Sequence, residues 1–330
     1  MPVSKNETCH YVNHFGERCH APVHSPDSKF CYWHDHEADK SASDTSARLE
    51  EYARAGGMMH GIFLKHANLE NLNLVKMDGR QGFDLTGADL YRANLQNAHL
   101  FNIVLIRANL MKVNLAHANL HCAHLEESNL LGVKFHDTKI EHIKTGSSII
   151  QENQAKELEA QGEYKQARDH YEQAEEVYRN LRKASENQGL FNLAGPYLRS
   201  ELTMRRLQMP HYSVRRFYSK VVDLFCGYGE DPLRVVLFSL LLIFFSSLFY
   251  YIFGLRFAGE YQVFSLHNGF EENVIFFFEC LYYSVVTFTT LGYGDFIPVG
   301  FSRLVAALEA FTGSFTIALF VVVFVKKMTR

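Results

Sequence analysis

Three cysteines and a histidine close to the N-terminus have a spacing that is typical of metal ligands. Cys9, Cys19, Cys31 and His34 follow the pattern Cys-x9-Cys-x11-Cys-x2-His. Three thiolates and one imidazole are a common tetrahedral ligand set for zinc. Because so short a segment cannot bury a core of its own, metal binding would supply folding free energy. We therefore predict a zinc-binding knuckle over residues 1–45 that holds a structural Zn²⁺.

Several other histidines compete with His34 for the place of the fourth ligand. They are His10, His14, His20, His24 and His36. Unliganded cysteines are the alternative interpretation of the whole pattern. A catalytic zinc, which needs an open coordination position, is not expected here.

A second chemical pattern lies in the C-terminal third of the chain, between two apolar segments. Its residues are Thr290, Leu291, Gly292, Tyr293, Gly294 and Asp295, with Pro298 shortly after them. The two glycines can adopt backbone angles that other residues resist, and such angles let successive carbonyl groups point to one side. A ring of carbonyl oxygens can replace the hydration shell of a cation, but one chain supplies only one wall of the ring. Several copies around an axis are needed to close it.

These six residues resemble the signature of the potassium-channel family. The resemblance implies a homotetramer in which the carbonyls of residues 290–293 and the Thr290 hydroxyl bind K⁺. Leu291 stands where valine or isoleucine is commoner in the family. Since Leu291 contributes only its backbone carbonyl, we expect selectivity for K⁺ to be kept. Val286 occupies a position where some relatives carry a glutamate that bonds the filter aspartate, so Asp295 is expected to lack that partner.

The resemblance also assigns residues around this filter. Residues 279–289 are predicted to form the pore helix, with Glu279 in its first turn, where a carboxylate is favoured by the helix dipole. Tyr283, with its neighbour at 282, resembles the aromatic residues that brace the filter from behind. Gly313 resembles a hinge glycine of the inner helix, or it only permits close helix packing. Glu309 must face protein or water, either behind the pore helix or in the central cavity.

The apolar segments on either side of the filter have the length of membrane spans. Residues 235–255 contain no charge, and residues 304–325 contain only Glu309. Twenty-one helical residues span roughly 30 Å, the thickness of the hydrocarbon core of a bilayer. Lysine and arginine cluster before the first segment and after the second, while only Arg256 and Arg303 lie between them. We therefore expect an integral protein of the plasma or inner membrane with both termini cytoplasmic.

Residues 64–142 repeat with a period of five, which fits neither a helix nor a strand. From Leu85 to Ile140, every fifth residue is Leu, Phe or Ile, and a small residue often stands two positions before it. This pattern resembles the pentapeptide-repeat family, which implies a right-handed quadrilateral β-helix with the large residues on its axis. Leu64, Leu69 and Leu74 follow the same pattern, one residue out of register across 79–82. Both ends of such a rod must be capped.

The surface of the repeats and the overall charge bear on partners. The repeat faces carry several basic or titratable residues and few acids: His99, Arg107, Lys112, His117, His121 and His124. With 33 lysines and arginines against 36 acids in the whole chain, neither mimicry of DNA nor binding of nucleic acid is expected. A contact role, in which the rod binds a cytosolic protein or ligand, is the favoured interpretation. The histidines could sense pH, but solvated surface histidines are the simpler interpretation.

A helical segment connects the repeats to the first span. Gly162, Tyr164, Ala167, Tyr171 and Ala174 have spacings that resemble the second helix of a tetratricopeptide (TPR) unit. A plain helical hairpin is the alternative. Basic and apolar residues mix over 215–225, as in an interfacial helix that precedes a span.

Together these patterns predict a multidomain fold. It consists of the knuckle (1–45), the β-solenoid (60–145), an α-helical TPR-like connector with the interfacial helix (150–228) and an all-α, two-span pore module (229–330). The expected function is passive, selective K⁺ transport across a lipid bilayer. No nucleophile–base pair is apparent, so we expect no enzyme chemistry. Because the given sequence ends soon after the second span, control of the pore is expected from the N-terminal part. The alternatives are a membrane-anchored scaffold that recruits partners, or a weakly selective cation channel.

Overall fold

A computed structural model of the protein describes residues 8–76, 82–265, 267 and 269–328. They fall into two compact units, Met1–Arg216 and Phe217–Arg330. The helices are α1 (Thr45–Arg54), α2 (Ile150–Ala160), α3 (Tyr164–Asn187), α4 (Phe191–Leu207), α5 (Val214–Cys226), α6 (Pro232–Phe253), α7 (Phe270–Phe288) and α8 (Phe301–Met328), and the strands are β1 (Leu255–Phe257), β2 (Glu260–Gln262) and β3 (Phe296–Pro298).

The five-residue repeat forms a four-sided parallel coil, as the sequence predicts. From Asp84 to Lys144, parallel bridges join residues that are twenty positions apart, such as Asn94 with Asn114. Four units of five residues therefore complete one turn of the coil. The leucine of each unit is buried on the axis, where Leu110 and Leu120 are 0 % exposed. The right-handed sense of the coil stays a prediction of the family resemblance.

The first coil carries the expected register shift. Phe63 bridges to Asp89, a separation of 26 residues instead of twenty. The six additional residues equal one unit of the repeat plus one residue, which accounts for the shift of Leu64, Leu69 and Leu74. Most of the predicted position of the shift, 79–82, lies outside the described residues.

The knuckle and α1 cap the N-terminal end of the rod. Along the rod, backbone N–H groups such as that of Asn94 donate to a carbonyl of the preceding coil. The first coil has no preceding coil, so its N–H groups need other acceptors. Trp33 O accepts from Phe63 N at 2.8 Å, Lys40 O accepts from Asn68 N at 3.0 Å, and the Glu50 carboxylate of α1 accepts from Asn73 N at 2.7 Å. The sequence analysis expected a cap but did not predict α1.

The helical connector caps the opposite end of the rod. The Gln188 side chain accepts from Ile140 N at 3.0 Å and donates to Thr138 O at 2.6 Å. Nearby, Gln151 of α2 donates to the side chain of Asn129 at 2.7 Å. The buried side chains of the knuckle, rod and helices α1–α4 form one continuous hydrophobic core. The first unit is therefore a single folded body.

The connector packs around α3, whose small and aromatic residues lie on one face. Ala167, Tyr171, Ala174 and Tyr178 recur every three or four residues and are all buried. Helix α3 contacts both α2 and α4. The buried Glu201 of α4 joins the two longer helices through ion pairs with arginines of α3 and α4. A true TPR-like arrangement stays a prediction.

The division between the two units falls within α5, whereas the sequence analysis placed a boundary after residue 228. The reason is that the second half of α5 packs on α6. The rings of Phe225 and Phe238 meet edge to face at 4.3 Å. In addition, Arg234 donates to Asp223 O at 3.1 Å. These contacts make α5 the first element of the pore unit rather than the last of the connector.

Helices α6, α7 and α8 pack on one another and form the core of the pore unit. Helices α6 and α8 are long and apolar enough to cross a membrane, and 22 % of each hydrophobic segment is buried inside the protomer. The two predicted spans are thus found, with bounds that differ by a few residues. The first ends at Phe253 because Gly254 takes φ of 78°.

Two predictions about the pore unit were wrong. It is not all-α, because β1 pairs with both β2 and β3 in a small antiparallel sheet that follows α6 and the filter segment. Ala258 and Gly259, both with positive φ, form the turn between β1 and β2. The helix before the filter begins at Phe270 and not at 279, so Glu279 lies in mid-helix and the carboxylates of its first turn belong to Glu271 and Glu272.

Candidate ion pore and metal centre

The filter segment begins at the C-terminal end of α7. The N–H of Leu291 donates to Val286 O, and the N–H of Thr290 donates to Thr287 O, both at 3.0 Å. With Thr290 at φ of 59°, this is the Schellman arrangement that closes a helix with a left-handed residue. The filter backbone therefore leaves the helix at a fixed angle.

The sign of φ alternates along the filter. Thr290, Gly292 and Gly294 have φ of 59°, 57° and 79°, while Leu291 and Tyr293 between them are not left-handed. A Cβ added at either glycine would meet nothing within 4 Å inside the protomer. The glycines are thus required by backbone conformation and not by crowding within the chain.

The side chains of the filter project away from the protomer. Leu291 is 59 % exposed and Tyr293 is 67 % exposed. The sequence analysis expected Asp295 to lack a glutamate partner at position 286; the side chain that interacts with Asp295 is instead that of Tyr282. Asp295 also accepts from the N–H of Phe296 at 3.0 Å. The family position at Val286 is thus not the one that provides a partner here.

Glu309 lies behind the pore helix, which is one of the two places that the sequence analysis left open. Its side chain is buried, with 2 % exposure of the residue. The Tyr250 hydroxyl of α6 donates to it at 2.6 Å, and the Ser284 hydroxyl of α7 donates to its other oxygen. The side chain of Ser246, also on α6, interacts with the same carboxyl group. One carboxyl group therefore ties together all three helices of the pore unit.

The sequence analysis missed these partners, although a signal for them exists. Ser246 and Tyr250 are polar residues four positions apart within a mostly apolar span. Such a pair lies on one face of a helix. Polar side chains in a span are expected to face protein. Glu309 requires a polar partner, and this face of α6 is where one could have been sought.

At Gly313, helix α8 passes very close to the end of the pore helix. A Cβ at this position would lie 2.2 Å from Phe288 O and 3.0 Å from the carbonyl carbon of the same residue. Helix α8 runs through Gly313 from Phe301 to Met328 without interruption. The contact gives the close-packing interpretation a structural basis, while the hinge interpretation stays a prediction.

Tyr283 and Glu279 take different places on the pore helix. Tyr283 is buried, and its ring lies 4.9 Å from that of Tyr250 and 6.4 Å from that of Phe296, which follows the filter. A bracing role for Tyr283 behind the filter stays a prediction. Glu279 is half-buried in the middle of α7, more than two helical turns before the filter begins.

In the knuckle, all four predicted ligands come together. Cys9, Cys19, Cys31 and His34 are buried, and their ligand atoms lie within 4.8 Å of one another. The two sulfurs of Cys19 and Cys31 are 3.9 Å apart, and Cys31 Sγ is 3.2 Å from His34 Nδ1. Zinc–sulfur bonds of about 2.3 Å in a tetrahedron place sulfurs about 3.8 Å apart, so the donor set fits zinc.

The structure also selects His34 among the competing histidines. His34 Nε2 donates to His60 O at 2.8 Å, which leaves Nδ1 facing the three sulfurs. Such an outer hydrogen bond fixes the ring nitrogen that binds a metal. The ring of Tyr11 stacks on His34 at 4.0 Å and holds its plane.

Without metal, the thiols of the knuckle share protons unequally. The hydrogen bond between the sulfurs of Cys19 and Cys31 lowers the pKa of Cys19 and raises the pKa of Cys31. Burial raises the pKa of Cys9. A metal cation that binds here must therefore displace protons from Cys9 and Cys31.

Comparison with known families agrees with this architecture. Residues 234–330 match the ion channel family, and residues 81–105 and 108–144 match the pentapeptide repeat family in eight copies. The chain carries an ion channel domain and a pentapeptide-repeat domain. The span α6, the pore helix, the filter and the span α8 together make up the channel domain. No curated protein matches the chain.

Solved structures similar to this chain include several pentapeptide-repeat proteins. One from the thylakoid lumen of Arabidopsis thaliana is 17 % identical, with 31 % of this chain and 75 % of that chain covered and a TM-score of 0.25. Rfr23 from the cyanobacterium Cyanothece 51142 is 23 % identical, with 32 % and 97 % covered and a TM-score of 0.22. One from Nostoc PCC 7120 is 28 % identical, with 30 % and 94 % covered and a TM-score of 0.18. These TM-scores are too low to carry an argument about the fold, which rests on the bridge pattern.

Proposed function

We propose that the protein is a potassium-selective channel that conducts K⁺ passively through a pore formed by four copies of the chain. The observation that carries the proposal is the alternating sign of φ along residues 290–294, in a segment with the residues Thr-Leu-Gly-Tyr-Gly. Alternation between left- and right-handed residues turns successive peptide groups so that their carbonyls face one side. A row of carbonyl oxygens replaces the hydration shell of K⁺.

The positive φ angles of the filter segment carry a conformational free-energy cost. A non-glycine residue with positive φ, such as Thr290, costs of the order of 1 kcal/mol and is concentrated at functional sites. The Schellman bonds of α7 hold Thr290 in place, and the two glycines avoid the cost at 292 and 294. The C-terminal, negative end of the helix dipole then lies at the inner end of the filter, where it favours a cation.

A homotetramer would cover what the protomer leaves exposed. Leu291 and Tyr293 present large apolar side chains, and most of the apolar surface of α6 and α8 is not buried within the chain. The filter of one chain forms one wall of a pore, so a closed ring requires a rotationally symmetric assembly. Four walls are the number that carbonyl-lined K⁺ filters use.

The proposed orientation places both termini in the cytoplasm. Lys326 and Lys327 lie in the last turn of α8, and Arg215 and Arg216 lie in α5, before α6 begins. Clusters of positive charge stay on the cytoplasmic side of a membrane. The apolar second half of α8 would then line the inner end of the pore, where dewetting could close it. The N-terminal unit would control this gate from the cytoplasm.

The test is ion flux through the full-length protein in liposomes under K⁺ or Na⁺ gradients. Gly294→Ser should abolish K⁺-selective flux, because a side chain at φ of 79° strains the filter. Gly259→Ser is the matched control, since Gly259 also has positive φ (92°) and open space but lies in the β1–β2 turn. Equal flux of K⁺ and Na⁺ through the wild type would favour the weakly selective channel. Equal loss in both variants would contradict a role specific to the filter.

Absence of flux would leave either a closed gate or the scaffold alternative. The same assay on a chain without residues 1–205 separates them, because removal of an inhibitory unit should restore K⁺ flux. If neither protein conducts, the channel proposal fails. Partner recruitment through the rod, measured by pull-down with residues 1–205 present or absent, would then support the scaffold.

We further propose that Zn²⁺ occupies the knuckle in a structural role. All four donors are buried and the set is complete, so no position is open for a substrate. Zinc would hold the loop whose Trp33 and Lys40 carbonyls cap the rod. Metal analysis of the purified full-length protein should find one zinc per chain that resists dialysis, and Cys19→Ser should lose it.

A further inference from the structure

We propose that His117, His136 and Asp137 form a second, exchangeable site for a borderline divalent cation on the surface of the rod. The three side chains come from two adjacent coils. His117 Nδ1 lies 3.7 Å from Asp137 Oδ2, and His136 Nε2 lies 3.2 Å from the same oxygen. The three ligand atoms lie within 4.8 Å of one another.

The two distances to Asp137 Oδ2 are close to what a metal requires. Bonds of about 2.1 Å place neighbouring ligand atoms about 3.0–3.4 Å apart in octahedral or tetrahedral sites. Small rotations of exposed side chains therefore suffice to bring all three atoms onto one ion. Two imidazoles and one carboxylate suit Zn²⁺ and its neighbours in the transition series, and they do not suit Ca²⁺ or Mg²⁺, which prefer oxygen.

The backbone of the rod fixes where these side chains begin. His117 and Asp137 are twenty positions apart and occupy the same left-handed corner of successive coils, with φ of 60° and 50°. The N–H of His117 donates to His136 O at 2.8 Å and locks the two coils together. Only side-chain rotamers remain to be ordered on binding, which lowers the entropic cost of assembling the site.

This site differs from the knuckle in the solvent exposure of its ligands. The side chains of His117, Asp137 and His136 are 48 %, 60 % and 74 % exposed. Three ligands leave coordination positions open to water or to a ligand from another molecule. The bound ion should therefore exchange with solution, whereas the buried four-ligand set of the knuckle should hold its ion.

The test is zinc binding to the full-length protein in detergent, without any histidine tag, by equilibrium dialysis against buffered free Zn²⁺. We expect two zinc ions per chain in the wild type and one after His117→Ala or Asp137→Asn. Loss of a direct ligand should weaken the second site at least as much as loss of an outer partner, about 10- to 100-fold. His99→Ala is the matched control, because His99 is an exposed histidine of the same rod outside the cluster.

The retained knuckle zinc and an unchanged circular dichroism spectrum show that a variant is folded. A single zinc per chain in the wild type at saturating free Zn²⁺ that is still bound by His117→Ala would overturn the proposal. So would a second zinc that persists in His117→Ala, or one that is lost equally in His99→Ala. If the folded wild type binds one zinc and His117→Ala loses it, the second site is supported and the proposal of zinc in the knuckle is refuted.

Discussion

Replacement of Gly313 by alanine distinguishes close packing from a hinge at the inner helix. A Cβ at this position would lie 2.2 Å from Phe288 O, a distance that real Cβ contacts do not show. Because the obstructing atom belongs to the backbone, it cannot rotate away. Helix α8 or the end of α7 must move by about 1 Å to restore an ordinary contact.

The sign of the stability change follows from two opposing effects. Within a continuous helix, alanine in place of glycine gains about 1 kcal/mol of helix propensity. Overpacking that displaces backbone costs about 1–3 kcal/mol, and occasionally more. Since both atoms in the clash are fixed to backbone, we expect the upper end and a net destabilisation of about 2 kcal/mol. Phe288 ends the pore helix just before the filter, so K⁺ flux should fall as well.

The assay is the temperature at which half of the full-length protein stays monodisperse after heating in detergent. Gly313→Ala should lower this temperature, while the matched control Ser314→Ala, at the next and exposed position of α8, should not. If Gly313 served only as a hinge and was not crowded, alanine would only stiffen the helix, and this temperature would not fall. An unchanged or higher temperature, together with altered flux, would refute the packing argument.

Four further predictions concern other parts of the molecule. Tyr250→Phe should destabilise the pore unit by about 1–3 kcal/mol in a thermal melt, because a buried oxygen of the Glu309 carboxylate loses the Tyr250 hydroxyl as its donor. Tyr251→Phe is the control, and an equal effect of both variants would contradict a specific role of the Tyr250 hydroxyl. Cys31→Ser should release the knuckle zinc and hasten proteolysis at the N-terminal end of the rod, whereas Cys122→Ser, outside the ligand set, should do neither. Wild-type zinc should be released as the pH falls, because protons return to thiols whose pKa is raised. Gln188→Leu should lower the melting temperature of the first unit, since it leaves Ile140 N and Thr138 O without hydrogen-bond partners. Each unsatisfied group costs about 1–3 kcal/mol of stability. A melting temperature equal to that of the wild type would show that water replaces the cap.

The sequence predicts most of this architecture because the relevant patterns are local. Leucine at every fifth position can be buried in a coil of four five-residue sides, whatever the rest of the chain does. The two apolar spans are set by the thickness of a bilayer, and the glycines at 292 and 294 by backbone angles that they alone adopt without strain. The four clustered cysteine and histidine residues are identifiable because their spacing is that of a metal-ligand set.

The tertiary structure decides what depends on residues far apart in the chain. The ring of His34 faces the three sulfurs because the carbonyl of His60, in the rod, orients it. Glu309 lies behind the pore helix because hydroxyls of α6 and α7 meet it there, across 59 and 25 residues of sequence. The sheet of β1, β2 and β3 forms because the filter segment returns beside the end of α6. A local spacing can suggest such a partner, but each contact forms only when separate elements pack together.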